Sequence, residues 1–198
     1  MTILKKQKAI FIHIPKTGGK FVRKHLKMPA TLPWPTMHRR PSDDVLVDKW
    51  EKYFTFTFVR HPLDRFVSAY FFDHKRNSEG VQNNKSGIMK EIIKFQKNKQ
   101  GVSNFVKNFY HQNFFDDYKF IPQTCIMENA KFNFIGRFEN LKKDTEQVYH
   151  KIYQKPLVIK KNKKINSTTR DHYLQYFTDE ALNTLVKYYK EDYIKLNY

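Results

Sequence analysis

Cysteines and long apolar runs are scarce in this sequence, and both shortages narrow the possible classes of protein. Cys125 is the only cysteine among 198 residues, which excludes an internal disulfide framework and a cysteine-rich zinc site. The apolar run from Ala9 to Ile14 is too short for a signal-peptide core or a membrane span. We therefore expect a soluble, cytoplasmic protein, with a luminal domain cut from its membrane anchor as the alternative.

Acidic residues are also few. The chain has 19 acidic side chains against 37 lysines and arginines, so its formal net charge is +18. A charge of this size favours anionic partners such as phosphate, sulfate, nucleic acid or an acidic surface. At this length, with 40% hydrophobic residues, the chain can bury a core of its own. We expect a single domain over residues 1–198.

Short apolar runs alternate with helical segments along the chain. This alternation predicts an α/β fold in which a mainly parallel central sheet is flanked by helices. Strands are expected at 9–14, 54–59 and 132–135. Helices are expected at 19–27, 42–50, 62–75, 88–97, 103–110, 138–153 and 179–193, and loops at 77–87 and 160–170.

The segment between the first strand and the first helix has the composition of an anion-binding loop. It reads Pro15-Lys16-Thr17-Gly18-Gly19-Lys20. The glycines let backbone N–H groups approach a ligand closely, and the lysines add positive charge. The loop is not the ATP-binding P-loop, because Ile14 stands where that motif has glycine and Phe21 where it has serine or threonine. We interpret it as a site for an anionic nucleotide-like ligand; a basic turn leading into a helix is the alternative.

A second candidate binding segment follows the strand at 54–59. Arg60 ends this strand, where ligand-binding groups gather in parallel sheets, and Ser68 comes about two helical turns later. A guanidinium and a hydroxyl at this spacing could share one phosphate, although Ser68 is equally suited to close helix packing. We expect Asp64 and Arg65, which lie between them, to form a surface ion pair.

Five segments together resemble the carbohydrate-type, membrane-group sulfotransferases (sulfotransferase family 2), in the same order and over nearly the whole chain. The similar segments are 14–19, 58–70, 121–124, 134–141 and 188–193. The resemblance implies a P-loop-like sulfotransferase fold and an enzyme that uses 3′-phosphoadenosine 5′-phosphosulfate (PAPS), without a metal. Two positions depart from the family: Lys20 replaces the usual serine or threonine, and His61 replaces asparagine or aspartate.

The resemblance also implies residue roles for holding PAPS. The 5′-phosphosulfate would be held by Lys16, Thr17, Gly18, Gly19 and Lys20, the 3′-phosphate by Arg60 and Ser68, and the loop with Ser167 and Thr168 would close over the same donor. Sulfuryl transfer needs charge stabilised on the leaving phosphate, and Lys16 is our candidate for this catalytic role.

A base must also accept the proton of the acceptor hydroxyl, and histidine titrates in a suitable range. His38 lies in the proline-rich segment where the family often has a reactive histidine, so it is our candidate base; an exposed loop histidine is the alternative. His13 follows apolar strand residues, and we expect it to be a core residue. We expect His61 to pack at the start of a helix; contact with the cofactor is the alternative.

The expected acceptor is a hydroxyl compound, namely a carbohydrate, either neutral or anionic. Lysines at 85, 90, 94, 97, 99 and 107 suit an anionic glycan or simply a solvated helix face. Three alternatives remain: a small nucleotide kinase, which Ile14 and Phe21 disfavour, a sulfotransferase-like glycan binder without activity, and a basic nucleic-acid-binding protein without catalysis. Nucleic acid is disfavoured because aromatic residues such as Phe54 and Phe56 lie in an apolar strand pattern.

Overall fold

The candidate loops follow strands of a four-stranded sheet. The computed structural model describes residues 1–29, 50–78, 92–110, 117–128, 130–159 and 170–198. In this part of the chain the strands are β1 (Thr2–Leu4), β2 (Ala9–Ile12), β3 (Phe54–Val59) and β4 (Phe134–Arg137), side by side in that order. β1 runs antiparallel to β2, whereas β2, β3 and β4 are parallel. The expected mainly parallel sheet is confirmed.

The described helices are α1 (Gly19–His25), α2 (Pro62–Ser78), α3 (Lys99–Phe109), α4 (Gln123–Met127), α5 (Leu141–Tyr153), α6 (Asp179–Tyr188) and α7 (Lys190–Leu196), with 3-10 turns at Phe138–Asn140 and Tyr173–Tyr176. Chain contacts group these elements into two compact units. The first unit spans Met1–Arg60 and Gln123–Asn166, and the second spans His61–Pro122 and Ser167–Tyr198. The first unit contains the sheet with α1, α4 and α5; α2, α3, α6 and α7 belong to the second.

Aromatic side chains hold the sheet of the first unit together. Phe11 and Phe56 are register partners in β2 and β3, and their rings stack with centroids 5.1 Å apart. These buried rings form one core cluster with Val22 of α1 and Val148 of α5. Both helices pack on the face of the sheet that carries the two rings, so this face of the strands is covered. The parallel register places the carboxyl ends of β2 and β3 at the same sheet edge.

The second unit has its own core, and Arg65 lies inside it. The Arg65 side chain is 0% exposed and donates hydrogen bonds to the carbonyl oxygens of Ile121 and Tyr118. Burial lowers the pKa of this guanidinium, and nearby Tyr189 acts in the opposite direction. The predicted surface ion pair between Asp64 and Arg65 is therefore wrong.

Asp64 has a different partner, since Arg170 donates a hydrogen bond to its carboxylate. Arg170 also donates to the Asp64 backbone carbonyl at 3.5 Å. Arg170 and Asp64 are 106 positions apart, so the local sequence pattern does not predict their contact. The pattern instead favoured an ion pair between Asp64 and Arg65, because these opposite charges are adjacent in sequence. The adjacent charges were misleading because successive helical residues do not face each other.

Most predicted elements are confirmed, and their changed boundaries have local causes. The strand expected from residue 132 begins at Phe134, because the Asn133 side chain accepts hydrogen bonds from the backbone N–H and the hydroxyl of Thr55. The helix expected at 88–97 does not include residues 93–97, which form turns and irregular backbone. Asn98 instead caps α3 by accepting from the Gly101 N–H at 2.8 Å.

Two further boundaries differ from expectation. The loop predicted at 77–87 does not include residues 77 and 78, because α2 continues through Ser78. The single helix expected at 179–193 is divided at Tyr189 into α6 and α7. Residues 42–49, 79–87 and 160–169 of the other predicted segments lie outside the described residues. Within the part of the chain that is described, no helix has the length and apolar character needed to cross a membrane.

Candidate active site

The loop between β2 and α1 makes a tight turn with two residues in the left-handed backbone region. Lys16 has φ 70° and Gly18 has φ 85°. The hydroxyl of Thr17, which is fully buried, donates to the Ile14 carbonyl oxygen at 2.8 Å. The Thr17 side chain therefore closes the turn on itself, so that the backbone of this residue, rather than its hydroxyl, is suited to meet a ligand.

The two glycines let this loop pack closely against its neighbours. A Cβ added at Gly19 would lie 2.0 Å from Nε2 of His13, and one added at Gly18 would lie 2.7 Å from Cδ2 of Leu141. His13 is buried, as expected, and its ring stacks on that of Phe11. The N–H groups of Gly19 and the next residue begin α1 and have no carbonyl partner within the helix. The loop, which we call the cradle, therefore requires glycine at both positions for its packing and presents backbone N–H groups at the start of α1.

Arg60 follows β3 and reaches the cradle. Its Nη1 donates to the carbonyl oxygen of Lys16 at 3.0 Å, and its guanidinium carbon lies over the Phe138 ring, 3.8 Å from the centroid. The Arg60 side chain is buried, with 8% of the residue exposed. These contacts bring the two predicted anion-binding segments, which are 44 positions apart in sequence, together within the first unit.

The backbone of Arg60 is also fixed. The side-chain amide of Gln123, at the start of α4, accepts from the Arg60 N–H at 2.9 Å and donates to the Arg60 carbonyl at 2.8 Å. Sequence reasoning assigned no role to Gln123 or Phe138, although both lie in segments that resemble family blocks. Two sequence features could have identified them: Gln123 directly follows Pro122, and Phe138 directly follows a strand.

The cradle has an electropositive composition. Lys16 is half-buried and Lys20, in the first turn of α1, is exposed. No acidic residue occurs between His13 and Lys24 in the sequence. The loop thus combines positive side chains with backbone N–H donors and contains no carboxylate. This combination is suited to binding a phosphate or sulfate group.

The other predicted site residues are not brought to this cradle by any described contact. Ser68 is half-buried in α2 and belongs to the second unit. His38, Ser167 and Thr168 lie outside the described residues. Their predicted roles therefore stay predictions.

His61 packs among aromatic residues of the second unit. Its ring stacks on Tyr173 with centroids 4.6 Å apart, and its Nε2 lies 3.3 Å from the Tyr173 hydroxyl, within hydrogen-bonding distance. The rings of Tyr193 and Tyr198 meet it edge-on. These contacts confirm the packing role expected for His61 at the start of α2.

Comparison with known proteins identifies the family of this chain. The model of the Sulfotransferase family matches residues 1–198, the full length of the sequence. The chain belongs to the sulfotransferase family, as the resemblance indicated, and its mainly parallel sheet with flanking helices is consistent with that fold. No curated protein and no solved structure matches it. The family supports a transferase that moves a sulfuryl group.

Proposed function

We propose that this protein transfers a sulfuryl group from PAPS to a hydroxyl group of a carbohydrate. Family membership supports the reaction class. The observation that supports a donor with two anionic ends is the contact of Arg60 with Lys16, because it joins the cradle after β2 to the end of β3. A ligand with phosphate groups at two positions could then be held by cations from both segments.

The residues at this sheet edge fit such a donor. Gly18 and Gly19 keep the loop packed closely against its neighbours, because a Cβ at either position would meet the side chain of Leu141 or His13. The N–H groups at the start of α1 are donors suited to an anionic group. The ammonium groups of Lys16 and Lys20 and the guanidinium of Arg60 provide the charge. We assign the 5′-phosphosulfate to the cradle, and the 3′-phosphate to Arg60 with Ser68, with Ser167 and Thr168 as further candidates for closing over the donor.

PAPS supplies an activated sulfuryl group when it is bound. Lys16 stabilises the negative charge that develops on the leaving phosphate, because a half-buried ammonium acts more strongly than one in bulk water. Arg60 and the cradle hold the donor in one orientation, which lowers the entropic cost of reaction. His38 accepts the proton of the acceptor hydroxyl. No step assigned to these residues requires a metal.

A transfer assay tests the reaction. The protein is incubated with sulfur-labelled PAPS and, in separate reactions, a neutral polysaccharide, an acidic polysaccharide and a simple phenol. We expect label in a polysaccharide, with the acidic one preferred because the chain carries a net charge of +18. Label in the phenol alone would contradict the carbohydrate acceptor, and label in no acceptor would contradict the proposed activity.

A further inference from the structure

Two side chains that contact Arg60 carry no part of the proposed chemistry. Gln123 is 0% exposed, and its amide forms two hydrogen bonds with the backbone of Arg60, one in each direction. A buried amide is costly unless it is hydrogen-bonded, so this pairing holds Gln123 and the Arg60 backbone in one arrangement. These two hydrogen bonds hold the start of α4 against the end of β3.

Phe138 contacts both anion-binding segments. The Arg60 guanidinium carbon lies 3.8 Å from the centroid of its ring. On the other segment, ring atom Cδ2 lies 3.3 Å from the position that a Cβ at Gly18 would occupy. One ring therefore supports the guanidinium and lies against the cradle backbone.

We propose that Gln123 and Phe138 are positioning residues that orient the Arg60 guanidinium toward the 3′-phosphate of the donor. This inference rests on the proposed function. Arginine has a long, flexible side chain, and holding it before the ligand arrives reduces the entropy lost on binding. Gln123 fixes the backbone from which the side chain extends, the ring of Phe138 supports the guanidinium face, and the Lys16 carbonyl holds one of its nitrogens.

The test separates orientation of Arg60 from general stability. Affinities for adenosine 3′,5′-bisphosphate and adenosine 5′-monophosphate are measured by calorimetry, and their ratio isolates the contribution of the 3′-phosphate. Phe138→Leu, which removes the ring face, should reduce this ratio about 3- to 30-fold, as expected for a partly buried cation–π contact. Gln123→Met, similar in length but without hydrogen bonds, should also reduce it. A purely structural role would weaken both ligands equally and leave the ratio unchanged.

Phe134→Leu is the matched control. Phe134 is a half-buried aromatic residue of β4 whose ring meets Phe58, with centroids 6.5 Å apart. Its substitution should leave the ratio unchanged. Phe138→Tyr keeps the aromatic ring and should therefore have the wild-type ratio, which would show that the ring is what Phe138→Leu removes.

A double mutant provides the decisive outcome. In an Arg60→Ala background, Phe138→Leu should change the ratio less than about twofold, because residues that act through one another are not additive. An unchanged ratio in both Phe138→Leu and Gln123→Met, with Arg60→Ala still lowering it, would overturn the positioning role alone. Loss of cooperative unfolding in both variants would overturn it too, since the contacts would then maintain the fold. A wild-type protein without preference for the bisphosphate would instead overturn the proposed function.

Discussion

The guanidinium of Arg60 donates a hydrogen bond of 3.0 Å to the backbone carbonyl of Lys16. Lys16 has φ 70°, a left-handed conformation that costs an ordinary residue about 1–2 kcal/mol. The hydrogen bond stabilises this unfavourable turn from outside the loop. Arg60 thus has two roles that belong together: it supports the shape of the cradle and contributes a cation beside it.

Substitution of Lys16 should affect transfer more than binding. Arg60 contacts the Lys16 backbone, so Lys16→Met keeps that hydrogen bond and removes only the ammonium. We expect a loss of turnover of about 10²- to 10³-fold, the usual effect of removing one electrostatic contact to the transition state. Turnover is measured with labelled PAPS, and bisphosphate affinity by calorimetry.

Lys24→Met is the control for that experiment. Lys24 is an exposed lysine later on α1, and its substitution should change neither turnover nor affinity. If Lys16→Met retained wild-type turnover, Lys16 would have no role in stabilising the leaving group, and Lys20 would become the next candidate.

Gly19→Ala should destabilise the first unit through His13. The new Cβ would lie 2.0 Å from Nε2 of the His13 ring, so the ring or the loop must shift. We expect a loss of about 1–3 kcal/mol in the free energy of unfolding, the range for overpacked cores, together with weaker bisphosphate binding. Denaturant unfolding measures the first effect and calorimetry the second.

The double variant identifies the cause. In a His13→Ala background the ring is absent, so Gly19→Ala should cost less than in the wild type. An equal cost in the two backgrounds would show that the strain arises from the loop backbone and not from the histidine.

His74 should make stability depend on pH. Burial, with a smaller contribution from Lys97, lowers the pKa of His74 to about 4. His74 therefore takes up a proton near pH 6.5 in the unfolded chain but only near pH 4 in the folded chain. The stability that neutral His74 contributes is present above pH 6.5 and is lost as the pH falls toward 4. The contribution is at most about 3 kcal/mol.

Unfolding free energies at a series of pH values check this. His74→Phe keeps a ring for the contact with Tyr70 and should show a shallower decline between pH 6.5 and 4. His150→Gln, at an exposed position on α5, should decline as the wild type does. Parallel curves for His74→Phe and the wild type would assign the pH dependence to other groups.

The pattern of apolar residues was enough to predict the central strands. Residues 54–59 are β-branched or aromatic throughout, and β3 has these same boundaries. The strand β1 was not predicted, because three residues beside a lysine-rich turn carry no periodicity, and only pairing with β2 makes them a strand. Local sequence reports propensity, whereas an edge strand depends on its neighbour.

The sequence predicts those parts of the candidate site whose residues lie close together along the chain. The cradle follows from glycines and lysines between a strand and a helix, and Arg60 from its place at a strand end. The pairing of Arg60 with Gln123 crosses 63 positions and joins a side chain to a backbone, so neither segment alone identifies the other as its partner. Arg65 was misjudged for the same reason, since its carbonyl partners at 118 and 121 come from a distant segment.

The central claim is that the cradle and Arg60 bind the two anionic ends of one adenosine nucleotide. Calorimetric titration of the protein and of Arg60→Ala with adenosine 3′,5′-bisphosphate, ATP and duplex DNA tests it most directly. The account predicts that the wild type binds the bisphosphate more tightly than ATP and DNA, and that Arg60→Ala loses this binding. Equal or tighter binding of ATP, or undiminished bisphosphate binding by Arg60→Ala, would contradict it.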